Sequence, residues 1–510
     1  MSSASSSLRL SSGKGGAEAS NAVCNSTIET AFSPENYHEF DKNLRRETEK
    51  AYLWAATKKY AEKSPALAGC TIESCLADDS GMPVPESEQF LEYFSNVNAR
   101  REMTKYNVEF EIAPVRVGED AFADMYESLE NNRRAASRCA DMVGARASLF
   151  GILPSFTETH FSSDMITDVL HFRTLERQLR MLNKNRPFLV NIGYGEGIYF
   201  EADNLGVEGA ANSLQIRLSV EEPLSAAFYN AAQLVSFIMV GACANSPFLM
   251  GRRLWEETRV PLFEQIMYER YVGKNADTLQ FGRRCGDVFG HDYLKGSILD
   301  LFGVNCGMSA VLPTVYETPV GAMTHLILHN RDILRWNRPI MEFDEDKSPS
   351  LYIESRVTPA GPTTIDMTAN VAFFVGLVYY FHRDFLEEHE DIAKKNMPLS
   401  NVRRNFYRAA RDGFSAEIFW LGKSINLREF ILKWAMQYAF EGLQLAGVAH
   451  EEAKFWLRII NQRTQRGQNG SVWQRRYVAV NGGDEQGMRD MVRAYRDKQE
   501  EGDPVHTWKL

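Results

Sequence analysis

The sequence predicts an α+β fold in which an antiparallel sheet turns one polar face toward a cavity and apolar helices cover the other. Three stretches of period-two alternation and two long apolar segments carry that expectation. In NVEFEI, Val108, Phe110 and Ile112 point one way and Glu109 and Glu111 the other, because side chains alternate across a strand. In SLQIRLSV, Leu214, Ile216, Leu218 and Val220 oppose Ser213, Gln215, Arg217 and Ser219. In LYIESRV, Leu351, Ile353 and Val357 oppose Tyr352, Glu354 and Arg356. One such face alone fits an amphipathic strand in water; three, bearing Glu/Glu, Gln/Arg and Glu/Arg, point to one lined cavity. The apolar segments, roughly 226–244 and 367–381, contain Asn230, Gln233 and Ser236 or Thr368 and Asn370, and the second is shorter than the ~20 residues that span a bilayer. Both read as buried core helices.

The remaining elements follow in order. Residues 1–33 are rich in Ser, Gly and Ala without an apolar h-region, so a disordered leader is expected, with an organellar transit peptide as the minority alternative. Residues 34–90 read as a helical segment (37–63) and a polar linker (77–88). A main core is placed at 91–445, with helices over 119–154 and 162–185, and a helical extension packed on it at 446–510.

Composition bounds the function. At 510 residues and 44% hydrophobic the chain can bury a large core, and its net charge of -10 repels phosphate backbones and anionic membranes. Small-molecule substrates are therefore expected, with neither nucleic acid nor membrane as partner. Seven cysteines, at 24, 70, 75, 139, 243, 285 and 306, form no C-x-x-C pair and no zinc spacing with histidine, which fits reduced thiols in a cytoplasmic setting.

Chemistry enters through the polar strand faces. Carboxylates held ~7 Å apart repel, and a divalent cation with oxygen ligands is the economical counter-charge; magnesium suits them and usually arrives with nucleotide phosphates. After Arg356 the chain runs Pro-Ala-Gly-Pro, where Pro359 and Pro362 stiffen the exit and Gly361 permits a strained backbone. Thr363 or Thr364 can cap the following helix, whose N-terminus would favour an anion. Arg259 and Arg338 are preferred as substrate or phosphate contacts over Arg252, Arg253 and Arg335, the alternative for each being a structural salt bridge, with Glu256 and Glu257 nearest the first group. Trp336 reads as core, and His325 and His329 lack a third metal ligand.

The runs ANSPFLMGRRLWEETRVPLFEQ (244–265), RWNRPIMEF (335–343), LYIESRVTPAGPTTIDMTANVAFFVGL (351–377) and RGQNGSVWQRRYV (466–478) closely resemble glutamate–cysteine ligase family 2, a group of carboxylate–amine ligases. The likeness covers about 33–510. It implies a glutamine-synthetase-like catalytic fold with a curved antiparallel sheet, binding ATP, Mg2+ and an amino acid, and glutamate–cysteine ligation, a step of glutathione biosynthesis. Glu109 and Glu111 then match the paired glutamates of the family's first strand, and Glu208 and Gln215 a later acid and amide. Glu109, Glu111, Glu208 and Glu354 become the metal candidates, and Gln215, Arg217, Asn212 and Arg335 the nucleotide candidates. Arg356, Arg259 and Arg338 become the catalytic arginines. The chain departs from the family pattern where Q-x-H is expected and Gln215, Ile216 and Arg217 stand, and where Gly-Thr is expected and Arg331 and Asp332 stand. Because arginine cannot ligate a metal, a weakened homologue that only binds nucleotide or amino acid is the alternative to a ligase.

Overall fold

Alternation in the three stretches is realised in one seven-stranded antiparallel sheet. The computed structural model describes residues 32–60, 66–94, 99–268, 286–308, 310–314, 323–343, 348–386 and 396–510. The expected leader lies outside these except for its last two residues, of which Ser33 already caps a helix. In chain order the strands are β1 Leu67–Ala77, β2 Ala99–Arg101, β3 Asn107–Arg116, β4 Arg146–Ser148, the hairpin β5 Phe188–Ile192 and β6 Ile198–Ala202, β7 Ser213–Val220, the short pair β8 Phe248–Leu249 and β9 Arg252–Arg253, β10 Asn337–Phe343 and β11 Pro349–Pro359. The main sheet runs β10-β11-β7-β1-β3-β2, with β4 also on β1.

This order corrects the expected boundaries. The reading of 34–90 as helix and linker missed β1, which lies between β3 and β7 at the centre of the sheet. Its sequence, LAGCTIESCLA, is buried along almost its whole length on both faces, so it lacks the polar–apolar alternation that marks a half-buried strand.

Helices cover the apolar face. Among them α1 is Pro34–Ala56, α2 Ala121–Met142, α3 Ser225–Ala242, α4 Thr364–Phe381, α5 Met436–Leu445 and α6 His450–Arg466. α2 packs on β3, α3 on β11, and α4 on α3, α5 and α6. Two helical stretches, Glu222–Ala242 and Thr364–Phe385, are long and apolar enough to cross a membrane, but 94% and 83% of their apolar 18-residue segments is buried inside the fold. They are its central layer. α4 and α5 approach so closely that a Cβ on Gly442 would fall 1.7 Å from the carbonyl oxygen of Gly376, a spacing that only glycine permits. One hydrophobic cluster runs from Phe40 to Trp508 and includes Trp456, Trp473 and Tyr495 from the C-terminal helices.

The exit from β11 follows the sequence reading in part. Gly361 has φ +81°, and a Cβ there would meet the carbonyl oxygen of Leu149 at 2.2 Å. Thr363 is the cap, its side chain accepting from the N–H of Asp366. The anion at this helix N-terminus belongs to the chain itself. The buried carboxylate of Asp366 accepts from Thr363 Oγ1 at 2.8 Å, from Arg463 at 2.8 Å and from the Val505 N–H at 2.9 Å.

Candidate active site

Strand register brings the polar residues to one face. Glu73 is paired with Glu109, Thr71 with both Glu111 and Gln215, Arg217 with Glu354, and Glu354 with Arg338. The faces expected to converge therefore do so, and they divide into two groups.

The first group is closed by ion pairs. Glu354 is fully buried; its Oε1 accepts from Arg338 Nε at 2.7 Å and its Oε2 from Arg217 Nε at 2.8 Å. Arg217 also reaches Glu111 at 3.2 Å and Glu342 at 3.4 Å, and Arg100 holds the second oxygen of Glu111. Burial opposes ionisation of Glu354, but Arg338 and Arg217 more than offset it and hold its carboxyl down at about 2. Glu354 thus has both oxygens taken by arginine, against the expectation of a metal ligand. Arg338 is spent on it, against the expectation of a catalytic arginine.

The second group is open and acid-rich. Glu73, Glu102 and Glu109 bring one carboxylate oxygen each within 4.8 Å of the others. Glu73 and Glu102 line a narrow cleft with Asn107, Glu208, Ser213, Arg259, Phe263, Trp336 and Arg356. Gln215 donates to Glu73 at 2.7 Å and the Ser213 N–H at 2.6 Å, so the amide expected at a nucleotide instead orients a carboxylate. Burial raises the Glu73 carboxyl above the usual range, with Arg356 opposing and Glu109 reinforcing the shift. Burial, then Glu109 and Glu73, push Glu102 well above it.

A β-bulge aims Arg356 into this group. Between Ser355 and Thr358 β11 gains one residue over β7, and within that irregularity the Arg356 N–H bonds the Trp336 carbonyl at 2.8 Å. The guanidinium lies 3.7 Å from Glu73 and 5.9 Å from the Phe263 ring centre. Burial disfavours its charge, yet Glu73, Glu354, Glu208 and Glu102 raise its pKa. The bulge also exposes the Val357 carbonyl, which Arg259 Nη2 fills at 2.8 Å while its Nε bonds Glu257 at 2.6 Å. Arg259 thereby braces the bulge while lining the cleft. Trp336 is core, as read, and donates to Glu264 at 2.7 Å; Tyr407 donates to the same carboxylate, and burial pushes Glu264 up to about 7.

Other candidates fall elsewhere. Arg335 donates to Asn305 at 2.9 Å, away from the cleft. Asn212 is fully buried near the Ala360 turn, where its carbonyl accepts from the Ala360 N–H at 3.2 Å. His325 pairs with Glu47 and His329 with the Asn305 carbonyl, as core histidines do. A larger cleft of about 680 Å3 opens between Phe156–Glu158, the β5–β6 hairpin, Met250 and Arg252, within the size range of small-molecule pockets. Of the arginines weighed from the sequence Arg252 lines it, whereas none of the preferred site candidates does. Among the described residues Cys70, Cys75, Cys139, Cys243 and Cys306 are unpaired thiols.

The sequence reading missed Glu73, Glu102 and Glu342. Glu73 alternates with Ile72 and Thr71 with Cys70 inside β1, a faint signal hidden by the strand's burial. Glu102 follows a three-residue edge strand, too short for any pattern.

The family profile described as glutamate-cysteine ligase family 2 matches residues 68–494, most of the chain. The chain belongs to that family. No curated protein sequence matches it. Among solved structures it resembles glutamate–cysteine ligase from Francisella tularensis in complex with AMP, with TM-score 0.50 and 10% identity over 87% of this chain and 89% of that one. It also resembles a bifunctional glutathione synthetase from Pasteurella multocida, with TM-score 0.48 and 9% identity over 86% and 52% of the two chains. A third likeness, to the complex of the ubiquitin-like protein Pup with its ligase PafA, has TM-score 0.36 and 10% identity over 84% and 73%. The family match and the first of these structures agree with the α+β fold and its curved antiparallel sheet. One correction follows: Glu109 and Glu111 lie on β3, whereas the first strand of the sheet is β1 and carries Glu73.

Proposed function

We propose that this protein is an ATP-dependent carboxylate–amine ligase that joins glutamate, or a related acid, to cysteine or another amine through an acyl phosphate. The observation that carries the reading is the acid-rich cleft with Arg356 at its edge, in a chain of this ligase family.

The chemistry asks for what the cleft offers. A carboxylate does not condense with an amine in water, because its leaving group is poor. Its oxygen first attacks the γ-phosphorus of ATP and releases ADP; the amine nitrogen then attacks the acyl carbon, loses a proton and expels phosphate. Such transfer depends on aligning mutually repelling anions and neutralising their charge. Arg356, with no ion pair shorter than 3.7 Å among the described residues, is the cation suited to hold an anionic oxygen. Gln215 and Ser213 fix the Glu73 carboxylate, and the rings of Phe263 and Trp336 wall the cleft from water.

The donor set fits a hard divalent cation. Three carboxylates with oxygens within 4.8 Å, two of them with raised pKa, are a strained arrangement that such an ion relieves. Glu73, Glu102 and Glu109 would hold it, and when bound it would neutralise phosphate charge.

Occupation of Glu354 by Arg217 and Arg338 favours a second reading, a weakened homologue that binds nucleotide or amino acid without turnover. Incubation with ATP, Mg2+ and glutamate against the twenty amino acids and simple amines separates the two. ADP release with a mass-detected amide product is expected. Nucleotide binding without product in any combination would replace the ligase by the binding protein.

A further inference from the structure

We propose that Arg217 is a built-in counter-ion that stands in for a metal, closing the Glu111–Glu342–Glu354 end of the site and confining divalent cations to Glu73, Glu102 and Glu109. The inference deepens the ligase reading and rests on it for the role of the metal, but its test does not depend on ligation.

The argument is a balance of charge over one sheet face. At one end three carboxylates from β3, β10 and β11 meet Arg217 at 3.2, 3.4 and 2.8 Å. Arg338 and Arg100 add a second cation to Glu354 and Glu111, so three arginines answer three acids. At the other end Glu73, Glu102 and Glu109 crowd together, and among the described residues the one ion pair to these three is that of Arg356, at 3.7 Å from Glu73. A cation entering the first end would have to displace a guanidinium already paired with carboxylates on β3, β10 and β11. At the second end it would relieve repulsion and, among the described residues, meet no guanidinium closer than 3.7 Å to these carboxylates, whose nearest donors on Glu73 are the neutral Gln215 and Ser213. Arginine provides the positive charge permanently and cannot leave with product. The site then needs fewer metal ions than its number of carboxylates suggests.

Mn2+ binding followed by electron paramagnetic resonance, without ATP or amino acid, tests this. The expected result is one Mn2+ per chain. Glu109→Gln should weaken it tenfold or more, whereas Glu111→Gln, two residues along the same strand, and Glu354→Gln should change it by less than threefold. Arg217→Gln should admit a second Mn2+ per chain. Because that variant breaks a buried ion pair and risks the fold, the Glu109→Gln against Glu111→Gln contrast decides alone, each with a thermal melt; both residues are half-buried. Two Mn2+ on the unaltered chain, none, or equal loss in the Glu109→Gln and Glu111→Gln variants would overturn the proposal. A failed ligase assay with one Mn2+ bound would leave it standing.

Discussion

The two ends of the polar face are made of the same residue types and share β3 and β11, yet they are built for different purposes. Around Arg217 each carboxylate meets a guanidinium at hydrogen-bonding or ion-pair distance, and Glu354 is held ionised at about 2. Around Arg356 the carboxylates outnumber the cation and two have raised pKa values. The difference teaches that a charged residue on a site-facing strand is not by that fact a ligand. What decides is whether the protein has already supplied its partner. A neutralised cluster is rigid and structural, and an unbalanced one is a place for something to bind.

Breaking the balanced end should give the largest effect. Arg217→Ala strips one of two cations from a fully buried carboxylate, and breaking a buried pair costs about 3–5 kcal/mol. Chemical denaturation should show that loss, and a change below ~1 kcal/mol would mean that Arg338 alone suffices. Arg356→Lys should do the reverse at the other end. Its loose pair predicts a melting temperature close to that of the unaltered chain, while loss of the planar fork should lower turnover, read as ADP release, on the order of 100-fold. Loss of stability with intact turnover would make Arg356 structural.

A third test concerns the wall of the open end. Glu264, raised to about 7 by burial, binds more protons folded than unfolded between about pH 4.5 and 7, so its contribution is present at low pH and is lost as pH rises through 7. Unfolding free energy should fall across that window by up to about 1.4 kcal/mol per pH unit, and Glu264→Gln, which keeps an acceptor for Trp336, should flatten the slope. An unchanged slope would assign the titration elsewhere. The smallest effect is expected from Arg100→Ala. With 40% of its side chain exposed, Arg100 is a rim partner of Glu111, and its removal should cost about 0.2–1 kcal/mol by the same denaturation.

How much of this could be read beforehand depended on burial. β3, β7 and β11 declared themselves because each has one polar face, and the Pro-Ala-Gly-Pro turn because glycine and proline have few alternatives. β1 was invisible, since a strand buried on both sides loses its alternation, and with it went Glu73, the centre of the acid cluster. Glu354, Arg338, Arg259 and Arg217 were legible as site-facing charges. Their mutual cancellation was not, because Arg217 meets Glu354 across 137 residues of sequence and Glu111 across 106.

Asp366 connects distant stretches of chain in another way. The carboxylate at the head of α4 waits for Arg463, 97 residues later, and for the backbone of Val505, 139 residues later. Until both have arrived, a buried carboxylate just behind β11 has, among the described side chains, Thr363 alone to satisfy it. Assembly of the candidate site is thereby tied to the last-made part of the described chain, and a nascent product interrupted before residue 505 carries its defect in the turn after β11 instead of at its frayed tail. Proteolytic clipping near Pro504 should act in the same manner, converting a surface nick into loss of the turn that follows Arg356.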